Sequence, residues 1–168
     1  MTAHMREDSI MYSPIGIIHS GFKTSVGTPI QPAFSGDAPG QAVIYENYAA
    51  GLRDLDGFSH IILLYHFHLA GDWRPLVRPF MEEIERGVFA TRAPRRPNPI
   101  GLSVVRLERI DGAVLHLRGI DVVDGSPLLD IKPYAPAFDA VGERRFGWIG
   151  EALRKETRQV ADDRFINH

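Results

Sequence analysis

The dipeptide Asp111-Gly112 sits between two runs, residues 102–110 and 113–120, that mix apolar and polar side chains at strand spacing. A two-residue Asp-Gly link between such runs is the strongest short-range hairpin signal. In the second run Leu115 and Leu117 alternate with His116 and Arg118, so one face is apolar and the other polar. Such a hairpin cannot stand alone, because its apolar face needs a partner surface. The rest of the chain must supply more strands or covering helices.

Further strands are expected over residues 13–22, 42–46, 58–69, 87–91 and 128–134. Asn47 suits an N-cap for a short helix over residues 48–55, ended by Asp56-Gly57. Residues 75–86 read as loop plus one or two helical turns, and residues 147–160 have helical character. Residues 23–40 form a long loop rich in Gly, Pro, Ser and Thr, and a loop of that length inside a compact domain is usually functional. Many strands with few helices predict a mainly β single domain, a barrel or a strongly curved sheet, against a mixed α+β sandwich as the competitor. The expected division is a loose leader over residues 1–11, a barrel over 12–140, and a C-terminal helix and tail over 141–168.

At 168 residues, 44% hydrophobic and 24% charged, the chain can build a core without staples. It has no cysteine, which excludes disulfides, thiol catalysis and cysteine-ligated metals. The longest apolar stretch, residues 61–65, is far too short for a membrane helix, and no secretory leader is visible. A cytoplasmic location is the default expectation. The formal net charge of −2 argues against a generic nucleic-acid coat. The cations are nonetheless almost all Arg, the residue suited to bidentate phosphate and carboxylate recognition, although a GC-rich genome would give the same bias.

The glycine-rich nucleotide loops, the nucleophile-elbow pattern and the zincin helix are all absent. His66 and His68 share a strand face and could ligate a metal, but no acidic partner stands at a matching position, so no metal is expected. Two stretches stand out. Residues 91–103, TRAPRRPNPIGLS, combine Arg92, Arg95 and Arg96 with Pro94, Pro97 and Pro99. A proline-stiffened loop bearing guanidinium groups is pre-organised for anions, or is a rigid corner with solvated arginines. Residues 118–134, RGIDVVDGSPLLDIKPY, place three acids among strand residues. Asp124 has a ready turn role before Gly125. Asp121 and Asp130 need partners, for which Lys132 and the arginines are candidates, or they accept from a nucleoside.

F-A-T-R-x-P-x-R-P-N-P-I-G-L-S at residues 89–103 and D-x-V-D-G-[ST]-P-x-x-D-I-K-P-Y at residues 121–134 resemble the signature of the TsaA-like (YaeB-like) family. Its characterised members are tRNA N6-threonylcarbamoyladenosine methyltransferases. Matches continue at residues 14–20, 27–32, 55–60 and 71–79, so the resemblance covers roughly residues 12–140. It implies a β-barrel that binds S-adenosyl-L-methionine, works as a homodimer and methylates N6 of the modified adenosine at position 37 of tRNA. The alternatives are a non-catalytic adenosyl-ligand module and a small-molecule methyltransferase on the same barrel. Carried over, the cofactor site uses Gln31, Pro32, Ala33, Phe67, His68, Arg92, Leu102, Arg118, Gly119, Ile120 and Asp121. The catalytic candidates are Arg92 for a carboxylate, Asp121 for orienting the cofactor, and Lys132 or Tyr134 near the acceptor. Arg74, Arg78, Arg86, Arg95 and Arg96 are expected to gather at the pocket mouth and take tRNA phosphates. Longer family members carry a further C-terminal domain, whereas residues 141–168 read as one helix plus a tail.

Overall fold

The computed structural model of the chain describes residues 10–24, 36–80, 83–140, 142 and 145–152. Its strands are β1 (Gly16–Ser20), β2 (Pro39–Ile44), β3 (His60–His66), β4 (Leu76–Val77), β5 (Arg86–Gly87), β6 (Ile100–Asp111), β7 (Val114–Arg118) and β8 (Ser126–Pro133). Six of them close into an antiparallel barrel in the order β1-β2-β7-β6-β3-β8, with β1 paired to β2 on one side and to β8 on the other. Strands β4 and β5 form a separate two-stranded ribbon.

Alternation explains the closure. On β3, Ile61, Leu63 and Tyr65 point inward, and on β7 Leu115 and Leu117 do so. With Ile18, Ala42, Ile44, Val105, Leu107 and Leu128 they fill the interior, and Ile120 and Val122 plug it from the β7–β8 connection. Burying each such Leu or Ile side chain contributes about 1.5–3 kcal/mol. Gly16 is required for the fit: a Cβ there would overlap the Val43 carbonyl on β2.

The hairpin forms, but Asp111 pairs with Val114, so the loop residues are Gly112 and Ala113. Only Gly112 takes a positive φ, 59°, as a tight turn with glycine in the first loop position requires. The expected helix over residues 48–55 is instead two 3-10 helices, Glu46–Leu52 and Leu55–Gly57, broken by Asp54 at φ 65°. A stretch this short leaves few i to i+4 hydrogen bonds to gain, so the tighter turn suffices. Residues 75–86 contain β4 rather than a described helical turn, and the expected strand over 87–91 is mostly the 3-10 helix Val88–Ala90. Two one-turn helices follow β8, α1 (Pro136–Asp139) and α2 (Ile149–Ala152), and the remainder of the expected C-terminal helix lies outside the described residues.

Candidate functional site

An antiparallel barrel sends successive connections to opposite ends. Here the β1–β2 connection, the long β3–β6 excursion and the β7–β8 connection all emerge at one end. The 45–59 segment and the β6–β7 hairpin lie at the other. Phe67 and His68 leave β3 at the first end, Arg92 precedes β6, and Gly119, Ile120 and Asp121 leave β7 there. Residues this far apart in sequence are brought to one place by topology. Gln31, Pro32 and Ala33 belong to the β1–β2 connection but lie outside the described residues.

The polar centre of this end is a buried chain. Asp121 is 8% exposed, and its Oδ1 accepts a 2.6 Å hydrogen bond from Ser103 Oγ on β6. Ser103 Oγ lies 3.1 Å from the Tyr65 hydroxyl on β3. Tyr65 and Gly101 face each other across β3 and β6, and a Cβ at Gly101 would overlap the Tyr65 ring. The missing side chain lets that ring lie flat on β6, with its hydroxyl reaching Ser103 two residues on. The Phe67 ring packs edge-on against Tyr65, with centroids 5.3 Å apart. Burial pushes the Asp121 carboxyl up to about 7, while the Ser103 bond, its own backbone amide and the Arg92 charge hold it down. Burial, then the Asp121 charge, raise the Tyr65 phenol far above its ordinary value, so it stays protonated.

His68 is fixed by β8. Ser126 Oγ gives its single proton to the Val123 carbonyl at 2.7 Å, so its 3.2 Å contact with His68 Nδ1 has the imidazole donating. Burial, then the neighbouring His66, lower the His68 imidazole, with Asp124 opposing. The neutral ring therefore keeps Nε2 as an acceptor. Asp124 itself ties β1 to the β7–β8 connection, through Lys23 Nζ at 2.8 Å, the Ser20 amide at 3.0 Å and His19 at 3.3 Å. The Lys23 bond leads in holding its carboxyl at about 2. Its expected turn role is a lock on the site end.

Other expected residues lie elsewhere or are otherwise engaged. Lys132 and Tyr134 lie towards the opposite end of the barrel of the same chain. β8 starts at the site end and carries them about 20–25 Å away, at about 3.3 Å per residue, to where Lys132 faces Ile62 and Tyr134 bonds His60. Lys132 forms an ion pair with Asp130 at 2.7 Å. Leu102 points to the outer face, 48% exposed, because Ser103 beside it points in. Arg118 lies against Glu108, its Nε 3.0 Å from Oε1, a charge contact without hydrogen-bond geometry. The Ile120 side chain is fully buried in the core, and the Gly119 and Ile120 amides both bond the Ala38 carbonyl.

Of the expected phosphate-binding arginines, Arg74 and Arg78 are exposed. Arg95 is buried, and Arg96 donates to the Thr91 and Ala93 carbonyls of its own loop. Arg86 lies 6.0 Å over the Trp148 ring, whose Nε1 donates to the Ala90 carbonyl. The proline-rich loop is thus braced by Arg96, and Arg95 is buried, so neither is the solvated arginine of a rigid corner. Sequence reasoning missed Tyr65, Ser103 and Ser126. A serine at an inward position of a buried strand was the available signal.

The family model of the tRNA-methyltransferase O N-terminal domain matches residues 17–140. The probable S-adenosyl-L-methionine-binding protein of Pyrococcus abyssi is 49% identical over 158 residues, covering 94% of this chain and 86% of that one. The tRNA (adenine(37)-N6)-methyltransferase of Escherichia coli is 41% identical over 158 residues, covering 88% of this chain and 67% of that one. The crystal structure of TrmO from Pseudomonas aeruginosa superimposes with a TM-score of 0.70 at 42% identity, covering 83% of this chain and 62% of that one. This chain thus spans less than two thirds of that solved protein. With the barrel, the matched residues 17–140 and identities above 40% in agreement, the chain belongs to the tRNA-methyltransferase O N-terminal domain family.

Proposed function

We infer that this protein is an S-adenosyl-L-methionine-dependent methyltransferase acting on N6 of N6-threonylcarbamoyladenosine at position 37 of tRNA. The observation that carries the reading is the gathering of Phe67, His68, Arg92 and Asp121 at one barrel end, in a chain 41% identical to a tRNA (adenine(37)-N6)-methyltransferase. These residues suit an adenosyl sulfonium. A buried carboxyl complements a cation or a ribose diol, a guanidinium complements a carboxylate, and Phe67 offers an apolar wall. S-adenosyl-L-methionine, when bound, supplies an electrophilic methyl group. Arg92 serves a carboxylate of cofactor or substrate, and Asp121 orients the cofactor. The main contribution is positioning, because the acceptor nitrogen sits between a purine and a carbonyl and loses its proton readily.

The exposed Arg74 and Arg78 serve tRNA phosphates. A homodimer fits the outer face of β3 and β6, where Ile62 faces Val104 and Leu64 faces Leu102. Leu102 and Ile100 leave this face 48% and 39% exposed, an apolar surface suited to a second copy. The reading places the protein in the cytoplasm, where tRNA is. The test is transfer from labelled cofactor to total tRNA of a strain lacking the protein, followed by nucleoside analysis. Label in N6-methylated threonylcarbamoyladenosine is the expected result. Binding without transfer, or transfer only to a small acceptor, would refute it. Light scattering that reports a monomer at micromolar concentration would refute the dimer.

A further inference from the structure

The Tyr65–Ser103–Asp121 chain has a direction. Tyr65 stays protonated and donates, so Ser103 accepts from it and gives its own proton to Asp121 Oδ1. The 2.6 Å length of the second bond is that of a charge-assisted contact to a carboxylate. Both hydroxyls are on strands of the closed barrel, Tyr65 on β3 and Ser103 on β6, whereas Asp121 is on a connection. The strands therefore fix the donor, and the donor fixes the rotamer of the acid. Gly101 completes the device, since any larger residue there would push the Tyr65 ring off β6.

We propose that Tyr65 and Ser103 are positioning residues of the methyl-transfer site, holding Asp121 in one orientation and favouring its anionic form, so that a cationic adenosyl sulfonium binds in preference to the neutral thioether left after transfer. The proposal rests on the methyltransferase reading and adds to it a basis for product release. Ser103 favours the anion and burial favours the neutral acid. The groups whose charges reach Asp121 from the packed elements are Arg92, from the loop before β6, and Tyr65, on β3. With Arg92 favouring the anion as well, the balance lies near neutrality and is sensitive to one hydrogen bond. Tyr65 acts through Ser103, and neither residue takes part in bond making.

Two measurements on the full chain test this. The first is a carbon NMR titration of the Asp121 carboxyl, assigned by its loss in Asp121→Asn, in the wild type, Ser103→Ala and Tyr65→Phe. The second is calorimetry of S-adenosylmethionine and S-adenosylhomocysteine from pH 5.5 to 8.5. Ser103→Ala should move the carboxyl midpoint up by about one pH unit, and Tyr65→Phe by less. In the wild type the affinity ratio of sulfonium over thioether should rise through that midpoint. The rise should shift with it in both variants and flatten in Asp121→Asn. Tyr65→Phe keeps the ring over Gly101, so it reads the hydroxyl if Ser103→Ala folds poorly. A midpoint unmoved in both variants overturns the positioning roles while leaving the methyltransferase reading intact. A ratio independent of pH in the wild type overturns the preference. Absence of binding by either compound at millimolar concentration overturns the underlying reading, and the carboxyl titration then still decides whether the hydroxyl chain governs Asp121.

Discussion

Gly101→Ala tests the packing on which the site end depends. An ideal Cβ at Gly101 overlaps the Cε2 and Cζ atoms of Tyr65 and lies 2.9 Å from Phe67 Cζ. Tyr65 is 4% exposed and braced edge-on by Phe67, so its ring has little room to retreat. Overpacking of a filled core costs about 1–3 kcal/mol. Displacing the ring also loses the 3.1 Å Tyr65–Ser103 hydrogen bond, about 1 kcal/mol. Against this, alanine is better than glycine in a strand by about 0.5–1 kcal/mol. The net expectation is a loss of about 2 kcal/mol, or about 4–8 °C in Tm for a chain of this size. Thermal unfolding followed by circular dichroism reads the loss. A double-mutant cycle with Tyr65→Ala isolates its cause, because removing the ring removes the clash. Gly101→Ala should then cost little or become neutral, a coupling of about 2 kcal/mol. A Tm within 2 °C of wild type, or strict additivity with Tyr65→Ala, would refute the argument that this glycine exists for the tyrosine ring.

Three further outcomes follow from the same geometry. Asp124→Asn should lower stability at pH 7 by on the order of 1 kcal/mol. Since the folded carboxyl sits at about 2, below its ordinary value, that stabilisation is present above about pH 4 and vanishes as pH falls towards 2; urea unfolding at pH 7 and 3 reads it. Asp121 has the opposite sign: its folded value, about 7, lies above the unfolded one, so its contribution is full below about pH 4 and is lost as pH rises through 7. Asp121→Asn should therefore gain stability relative to wild type between pH 4 and 7, and a constant difference would contradict this. Arg74→Ala or Arg78→Ala should lower the salt slope of tRNA binding by about one unit each, whereas Arg96→Ala should mainly lower Tm, since its guanidinium braces the loop; unchanged slopes in the first pair would show these arginines to be mere solvated surface.

The barrel was legible because its signals are local. The Asp-Gly turn and the alternation on β7 survive in the structure, with the loop displaced by one residue. Asp124 was legible for the same reason, as an acid before glycine in a turn. What the sequence does not carry is distance across the fold. Asp121, Lys132 and Tyr134 share one motif in sequence, yet an extended strand separates them by most of the barrel's height. A run of cations such as Arg95 and Arg96 reads as surface in sequence, whereas Arg95 is buried and Arg96 bonds its own loop's carbonyls. Tyr65 and Ser103 were invisible as a pair, because cross-strand register is not written in either strand alone.

Because β1 bonds both β2 and β8, the six strands close into a ring, and a strand cannot be exchanged between copies without breaking it. β3 is bonded along its length to β6 on one side and β8 on the other, so it has no backbone edge to offer a second chain. Association over the outer face of β3 and its pairing with β6 rests on side chains alone. It would then be separable from folding: one charged residue at an outward position such as Leu102 could dissolve the assembly and leave the interior, which faces the other way, undisturbed.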